Sequence, residues 1–379
     1  MDTFQQLERV IDEYWEDQET FIVMPNSIRA RTYLSKITKD IKIEAILDND
    51  KSQDNTVFKS IPIQFAPEFL ACNEKKKILI SSRYTEIAEQ LIKAGYQEYI
   101  DFIDMHFFVS MWYWKKKREI HLLDVHTAVT TYCSLNCKNC NMFINHYRPE
   151  QRRYIGLEEF KENFDVLFQK IDYCYKMTIL GGEPLLNKEL AQMINWLFKK
   201  YGKKIGEISV VTNGTILPQE NLLDTLRDVN AQVNISDYAI NTLPDGRIEK
   251  LEEQLQKKAV SYKRNKEKKW KNFYFPRETQ MAQYDSERGH MLCCNPVFRG
   301  INDKKFYYCH IVWSAVQAGL IKEESSDYIK LEDIHSQNDR EKLLEHDLGF
   351  VENGYVSLCK YCGGCGFDNK SVITAGIQE

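Results

Sequence analysis

Thr131–His146 reads TYCSLNCKNCNMFINH and follows the largely apolar run Leu122–Thr130. Its Cys133, Cys137 and Cys140 stand in CxxxCxxC spacing, which puts three thiolates on one loop, able to grip one face of a metal cluster. Zinc competes for such a loop, but a structural zinc usually takes four protein ligands. Three cysteines fit a [4Fe-4S] cluster with one iron left open, because cubane clusters are held by cysteine thiolates and an unfilled position can take an exogenous ligand.

A second stretch, MTILGGEPLLN, runs from a β-rich segment into Gly181-Gly182-Glu183-Pro184 and then into a helical pattern beginning near Asn187. Two glycines at a strand end let the backbone come close to a small ligand, and Pro184 stiffens the exit. Alone, GGEP is a turn. Behind CxxxCxxC, at the distance of one strand–helix–strand unit, it resembles the second signature of the radical S-adenosylmethionine (SAM) superfamily. The resemblance implies that the triad holds the cluster and that the strand end of Gly181, Gly182, Glu183 and Pro184 binds the methionine amino group of SAM. It extends through about Ser236. EISVVTNGT, with Thr212 and Asn213, resembles the family's ribose-contacting strand end, and QVNISDY offers Asn234 and Ser236 as polar candidates. Many members carry an aromatic residue just before the last cysteine of the triad, near the adenine. This chain has Asn139 there, which leaves Phe143 and Tyr132 as the aromatic candidates.

The same region alternates strands and helices. Leu122–Thr130, Tyr175–Leu180, Glu207–Thr215 and Gln232–Tyr238 read as strands; Leu157–Asp172, Lys188–Lys200 and Leu222–Val229 read as helices. This is a (β/α) pattern, and the resemblance implies a partial (β/α)6 TIM-type barrel over 121–290. Active sites of barrels lie at the C-terminal ends of the strands. The triad, GGEP, Thr212–Asn213 and Ser236 all fall at such ends and are expected to share one mouth.

Residues 1–104 read as a small α/β domain. Phe21–Met24, Ile41–Leu47 and Lys77–Ser81 are apolar strands alternating with helical patterns, which implies a parallel sheet in Rossmann-like order. Met24-Pro25-Asn26-Ser27 stands where a glycine-rich phosphate loop belongs, so dinucleotide binding is not expected. Asp48, at the end of the second strand, is expected to turn the chain. Residues 105–120, aromatic and then basic, read as a connecting helix whose aromatics pack between domains. Lys257–Lys271 is dense in Lys and Arg; it is expected to be a solvated, mobile segment, with anion binding as its rival.

From 291 to 379 the chain returns to cysteine. Cys293 and Cys294 precede a possible hairpin ending at Cys309, and Cys359, Cys362 and Cys365 close the set. The pattern resembles the twitch extension, or its longer relative SPASM, which adds auxiliary [4Fe-4S] clusters behind the barrel. The resemblance implies one auxiliary cluster held by Cys293 or Cys294 with Cys309, Cys359 and Cys362; zinc on the same cysteines is the alternative. Asp303-Lys304 replaces the glycine of the family's hairpin turn. Cys365 is a candidate substitute ligand, hydrogen donor or structural thiol, and Cys72 and Cys174 are expected to be buried small residues.

A formal net charge of −4 gives no global case for nucleic acid. The acidic N-terminus is not patterned as a signal peptide, and Phe107–Trp114 is far short of a membrane span, so a cytoplasmic location is expected. The family resemblance implies cleavage of SAM to a 5'-deoxyadenosyl radical that abstracts hydrogen from the substrate, with electrons from a flavodoxin- or ferredoxin-type donor. A sugar, nucleotide-sugar or glycan undergoing oxidation or epimerisation ranks first as substrate, and a peptide undergoing maturation ranks next. A non-catalytic iron–sulfur protein is the alternative from another class.

Overall fold

The computed structural model describes residues 3–72, 75–82, 85–238, 246–275, 283–293, 298–366 and 369–379. The chain divides into two compact units, Met1–Leu123 and Asp124–Glu379.

The first unit holds a six-stranded sheet in the order β3-β4-β2-β1-β5-β6, built from β1 (Thr20–Met24), β2 (Lys42–Asp48), β3 (Val57–Phe58), β4 (Ile61–Phe65), β5 (Ile78–Ile80) and β6 (Phe102–Asp104). All neighbouring pairs are parallel except β3 with β4. FIVM and ILI are buried along their whole length, as strands covered on both faces require. Asp48 accepts from the backbone N–H groups of Asn26 (2.9 Å) and Asp50 (2.9 Å), so its carboxylate fastens the turn. The helix Met105–Lys117 differs from the connecting helix expected of it. It is buried on nearly every side, its Phe108 packing on Phe21 (4.5 Å between centroids) and Trp15 (5.6 Å) inside the first unit. Its lysines pair with acids of that unit, Lys115 with Asp12 and Lys117 with Asp40, both at 2.6 Å.

The second unit is organised by an eight-stranded sheet, β11-β10-β9-β8-β7-β13-β14-β15. Its strands are β7 (His121–Ala128), β8 (Tyr173–Leu180), β9 (Ile205–Thr212), β10 (Gln232–Asp237), β11 (Tyr262–Lys266), β13 (Arg299–Asn302), β14 (Lys305–Tyr307) and β15 (Tyr328–Lys330); β12 (Lys269–Lys271) and β16 (Val372–Thr374) pair separately. Helices Leu157–Lys170, Leu190–Tyr201, Glu220–Asp228 and Arg247–Lys257 connect β7 through β11 in turn. Among the described residues, 121–290 therefore supply five strands of the row in chain order. The sixth in the row is β13, from the C-terminal extension, lying parallel beside β7. β12 lies outside the row and pairs antiparallel with β16.

Within the basic run Lys257, Lys263, Lys266, Lys268 and Lys269 are exposed, as a solvated segment requires, whereas Arg264 and Lys258 have carboxylate partners. Arg264 on β11 meets Asp237 (2.8 Å), Glu252 (2.9 Å) and Glu249 (3.0 Å), and Lys258 meets Asp224 (3.1 Å). At the β13–β14 turn Asp303 and Lys304 both adopt left-handed backbone, φ 53° and 57°. That conformation favours glycine; here Asp303 is held by Arg153 (2.9 Å) and by the Trp313 indole N–H (2.7 Å). Buried Arg299, on β13, donates to Asp347 Oδ1 (3.0 Å) and lies 3.8 Å over the Tyr308 ring. No helix among the described residues is long and apolar enough to cross a membrane.

Two histidines make the second unit sensitive to acid. Burial holds His310 and His346 neutral, pushing each down to about 3. In the unfolded chain both take up protons below about pH 6.5. Their contribution to stability is therefore complete above pH 6.5 and is lost as pH falls toward 3, at up to about 2.7 kcal/mol per pH unit for the pair. Urea unfolding of the wild type against His310→Gln/His346→Gln between pH 4 and 7 measures this as the slope of the difference, and a flat difference would remove the pair from the acid response.

Candidate functional site

The loop after β7 carries Cys133, Cys137 and Cys140, and nitrogen donors reach each sulfur. Leu135 N–H reaches Cys133 Sγ at 3.4 Å and Asn213 Nδ2 reaches it at 3.5 Å. Gln378 Nε2 donates to Cys137 Sγ at 3.1 Å, and the N–H groups of Met142, Phe143 and Ile144 face Cys140. Burial opposes ionisation of all three, pushing Cys133 up to about 12 and raising Cys137 and Cys140. Sulfurs ringed by donors yet buried against bare charge fit thiolates neutralised by a bound metal cluster. Among the described residues no three His, Cys, Asp or Glu side chains converge as ligands of one metal ion. Thiolates of a cubane go to separate irons and need not converge in that way.

The glycines of GGEP serve this loop directly. Gly182 N–H donates to Thr130 O (2.8 Å) and Glu183 N–H to Tyr132 O (2.8 Å), so the cysteine loop continues the ladder that ends β8. A Cβ on Gly182 would lie 2.0 Å from Tyr132 O, and one on Gly181 2.4 Å from Thr130 O. The close approach read from the sequence as toward a small ligand is thus, on this face, toward the backbone of the cysteine loop. Asn187, not singled out in the sequence, is buried and donates from Nδ2 to Val129 O (2.8 Å) and Ile155 O (2.9 Å). An Asn just beyond a GGEP turn is its only signal.

Glu183 is 0% exposed. Its Oε1 accepts from Thr212 Oγ1 (2.8 Å) and Leu185 N–H (3.1 Å), and Oε2 accepts from Asn213 N–H (2.9 Å). Burial outweighs these donors and raises the carboxyl to about 7. Pro184 starts the short 3-10 turn that follows. Glu183 thus clamps the end of β8 to the end of β9, where Asn213 Oδ1 accepts from Thr215 N–H (2.9 Å) and Nδ2 reaches Ser134 Oγ (3.3 Å). Triad, GGEP and Thr212–Asn213 come together at one sheet edge.

Asn234 and Ser236 belong to a polar row on one face of the same sheet. Parallel register places Thr178 beside Ser209, and Asn234 Nδ2 donates to Ser209 Oγ at 2.5 Å. Thr178 Oγ1 donates to Asp124 Oδ1 (2.7 Å), and His126 Nε2 lies 3.6 Å from the same oxygen. Asp124, His126 and Thr178 escaped the sequence reading; polar residues alternating within apolar strands were the available signal. Ser236 hydrogen-bonds Tyr238. Of the aromatic candidates, Tyr132 stacks on Tyr154 (4.7 Å) and Phe143 is buried against Phe275 (4.5 Å).

Cys293, Cys309, Cys359, Cys362 and Cys365 gather in the extension, each within the electrostatic reach of others. Cys293 Sγ and Cys365 Sγ are in contact at 3.1 Å, Gly364 N–H donates to Cys362 Sγ (3.2 Å), and Cys359 Sγ lies 3.8 Å from His290 Nδ1. Burial pushes Cys309 up to about 12 and raises Cys359, while Cys365 is raised first by its contact with the Cys293 thiol and then by burial. Cys294 lies outside the described residues. Cys174 is buried as expected, whereas Cys72 is exposed, just beyond the short helix Ala66–Leu70 and its C-cap Ala71.

The model of the radical SAM superfamily matches residues 127–259. Over 94 residues the chain is 29% identical to the antilisterial bacteriocin subtilosin biosynthesis protein AlbA of Bacillus subtilis (strain 168), covering 25% of this chain and 19% of that one. Over 128 residues it is 31% identical to a probable GTP 3',8-cyclase of Methanocaldococcus jannaschii, covering 33% of this chain and 38% of that one. The chain thus spans well under half the length of these two relatives. Among solved structures, BtrN in complex with AdoMet and 2-DOIA aligns with TM-score 0.39 and 14% identity over 65% of this chain and 94% of that one. The match to the radical SAM superfamily over residues 127–259 takes in the cysteine triad, the GGEP turn and the Thr212–Asn213 strand end.

Proposed function

We propose that the chain reductively cleaves S-adenosylmethionine and removes a hydrogen atom from a hydroxyl-rich substrate, a sugar or sugar-containing small molecule, with net oxidation or epimerisation. The observation that carries the radical SAM reading is the convergence of the donor-ringed cysteine loop with the GGEP and Thr212–Asn213 ends on one sheet edge. When bound, a [4Fe-4S] cluster and SAM supply one-electron chemistry able to break an unactivated C–H bond. The chain's own residues hold and orient. Cys133, Cys137 and Cys140 are the proposed ligands. Gly182 admits the cysteine loop against the strand end, and Glu183 fixes β8 to β9 beneath it. Gly181 through Pro184, with Thr212, Asn213, Asn234 and Ser236, form the proposed SAM surface. The polar row of Asp124, His126, Thr178 and Ser209 gives that face of the sheet hydrogen-bonding rather than apolar side chains, a lining that suits a substrate rich in hydroxyls. A peptide substrate is the second reading, favoured by the similarity to AlbA.

In the extension the proposal is one auxiliary [4Fe-4S] cluster on Cys309, Cys359 and Cys362, with Cys293 or Cys365 at the remaining corner. Ligands to different irons diverge along a cubane's corners, so two sulfurs in contact serve one corner in turn. The spare thiol is then placed to act as a hydrogen donor or substitute ligand. The electron donor proposed is of the flavodoxin or ferredoxin type.

Anaerobic purification and reconstitution, iron counting, and assay of 5'-deoxyadenosine after reduction test this reading. About eight irons are expected in the wild type and about four, with no nucleoside, in Cys133/Cys137/Cys140→Ala. Cys293→Ser or Cys365→Ser alone should keep about eight, and the pair together about four. A triad variant that still cleaves SAM would overturn the proposal.

A further inference from the structure

The segment that follows β16 is strapped to the cysteine loop. Ala375 N–H donates to Lys268 O (3.1 Å), and Gly376 turns the chain at φ +71°, where a Cβ would strike Tyr238 Cβ at 2.6 Å. The next residues pair antiparallel with the loop through a bridge between Cys137 and Gln378. Lys138 N–H donates to Ile377 O (2.7 Å) and Glu379 N–H to Asn136 O (2.9 Å). Within that pairing the Gln378 amide is fixed at both ends. Its Oε1 accepts from Asn136 N–H (2.7 Å), while Nε2 donates to Gly376 O (2.7 Å) and to Cys137 Sγ (3.1 Å).

We infer that Gln378 is a positioning residue for the SAM-site cluster, which it serves through Cys137 by holding the ligand loop and by donating a hydrogen bond to the ligand sulfur. The inference rests on the proposed cluster at Cys133, Cys137 and Cys140. A hydrogen bond to a ligand sulfur stabilises the reduced, more negative cluster more than the oxidised one, and so raises its reduction potential. The two functions of the amide lie on different atoms. Oε1 fastens the loop and Nε2 serves the sulfur, so one substitution can remove the second and leave the first.

Gln378→Glu keeps an oxygen for Asn136 N–H but replaces the donor with a negative oxygen beside the sulfur; Gln378→Ala removes both. The measurement is the midpoint potential of the reconstituted full chain by EPR-monitored redox titration, following the signal that disappears in Cys133/Cys137/Cys140→Ala. Iron content is determined on the same samples. The expected result is wild-type iron content in Gln378→Glu, with the midpoint shifted to more negative potential, and a smaller negative shift in Gln378→Ala. An unchanged midpoint in Gln378→Glu at full iron content would overturn the inference. A wild-type chain without iron on the triad would overturn the reading beneath it, so the two failures separate on the wild-type count.

Discussion

On the proposed radical SAM reading, Gly182→Ala is expected to leave the cysteine triad without iron and to lower SAM cleavage by ~100-fold or more, the scale that an ångström of misplacement at a reacting centre commonly produces. The added methyl would lie 2.0 Å from Tyr132 O, 2.5 Å from Tyr132 C and 3.0 Å from Cys133 N. All three are backbone atoms of the segment that enters the cysteine loop, so no side-chain rotation relieves the overlap. The Glu183 N–H bond to Tyr132 O, at 2.8 Å, is the first that must lengthen, and Cys133 is the next residue along. Displacing that loop costs about 3 kcal/mol, the upper end of the usual overpacking range. Gly289→Ala is the control. It lies within the helix Gln283–Cys293, a Cβ there meets nothing within 4 Å, and alanine should stabilise the helix by about 0.5–1 kcal/mol. Thermal unfolding and iron content of the two variants test the comparison. A Gly182→Ala chain with full iron would show that the loop adjusts without cost to the site.

That contrast shows what sequence could and could not supply. CxxxCxxC and GGEP marked two stretches that the fold brings side by side, because each proposed chemistry constrains a few residues at short spacing. The direction in which the glycines are pressed was not legible. Gly181 and Gly182 meet Thr130 and Tyr132, a contact set by neighbouring strand ends rather than by local spacing. Gln378 lies 241 residues from its sulfur, and no periodicity records such a pairing. β13 was readable as one arm of a hairpin but not as the parallel neighbour of β7, since parallel pairing carries no local turn signal. The Asp303-Lys304 turn was visible as a departure, and its compensation through Arg153 and Trp313 was not. The partners of Arg264 were not legible in the basic run, because charge density says nothing of where opposite charges fold; Asp237 meets Arg264 only once β10 and β11 are paired, and Glu249 and Glu252 come from the preceding helix.

Glu183→Gln is expected to destabilise the second unit by about 1–3 kcal/mol, the cost of one buried donor left without an acceptor. The wild-type carboxylate accepts from Thr212, Leu185 and Asn213, three donors on two oxygens. An amide has one oxygen. With its nitrogen toward Asn213, two N–H groups face each other; with its nitrogen toward Leu185 and Thr212, the Leu185 N–H is orphaned even if the hydroxyl turns. Burial also gives the wild type a pH dependence that the amide lacks. The carboxyl is raised in the folded chain to about 7, above its ordinary value of 4.5, so folding favours the protonated form. Its contribution is therefore complete below about pH 4.5 and is lost as pH rises through 7, by about 3 kcal/mol in all. The wild type should exceed Glu183→Gln most at pH 5, and the gap should narrow toward pH 8. Because His310 and His346 are common to both chains, their opposite trend cancels in the difference. Urea unfolding of the two cluster-free chains at pH 5, 6, 7 and 8 supplies the measurement. A gap that widens with pH would mean that the three donors, and not burial, govern the charge on Glu183.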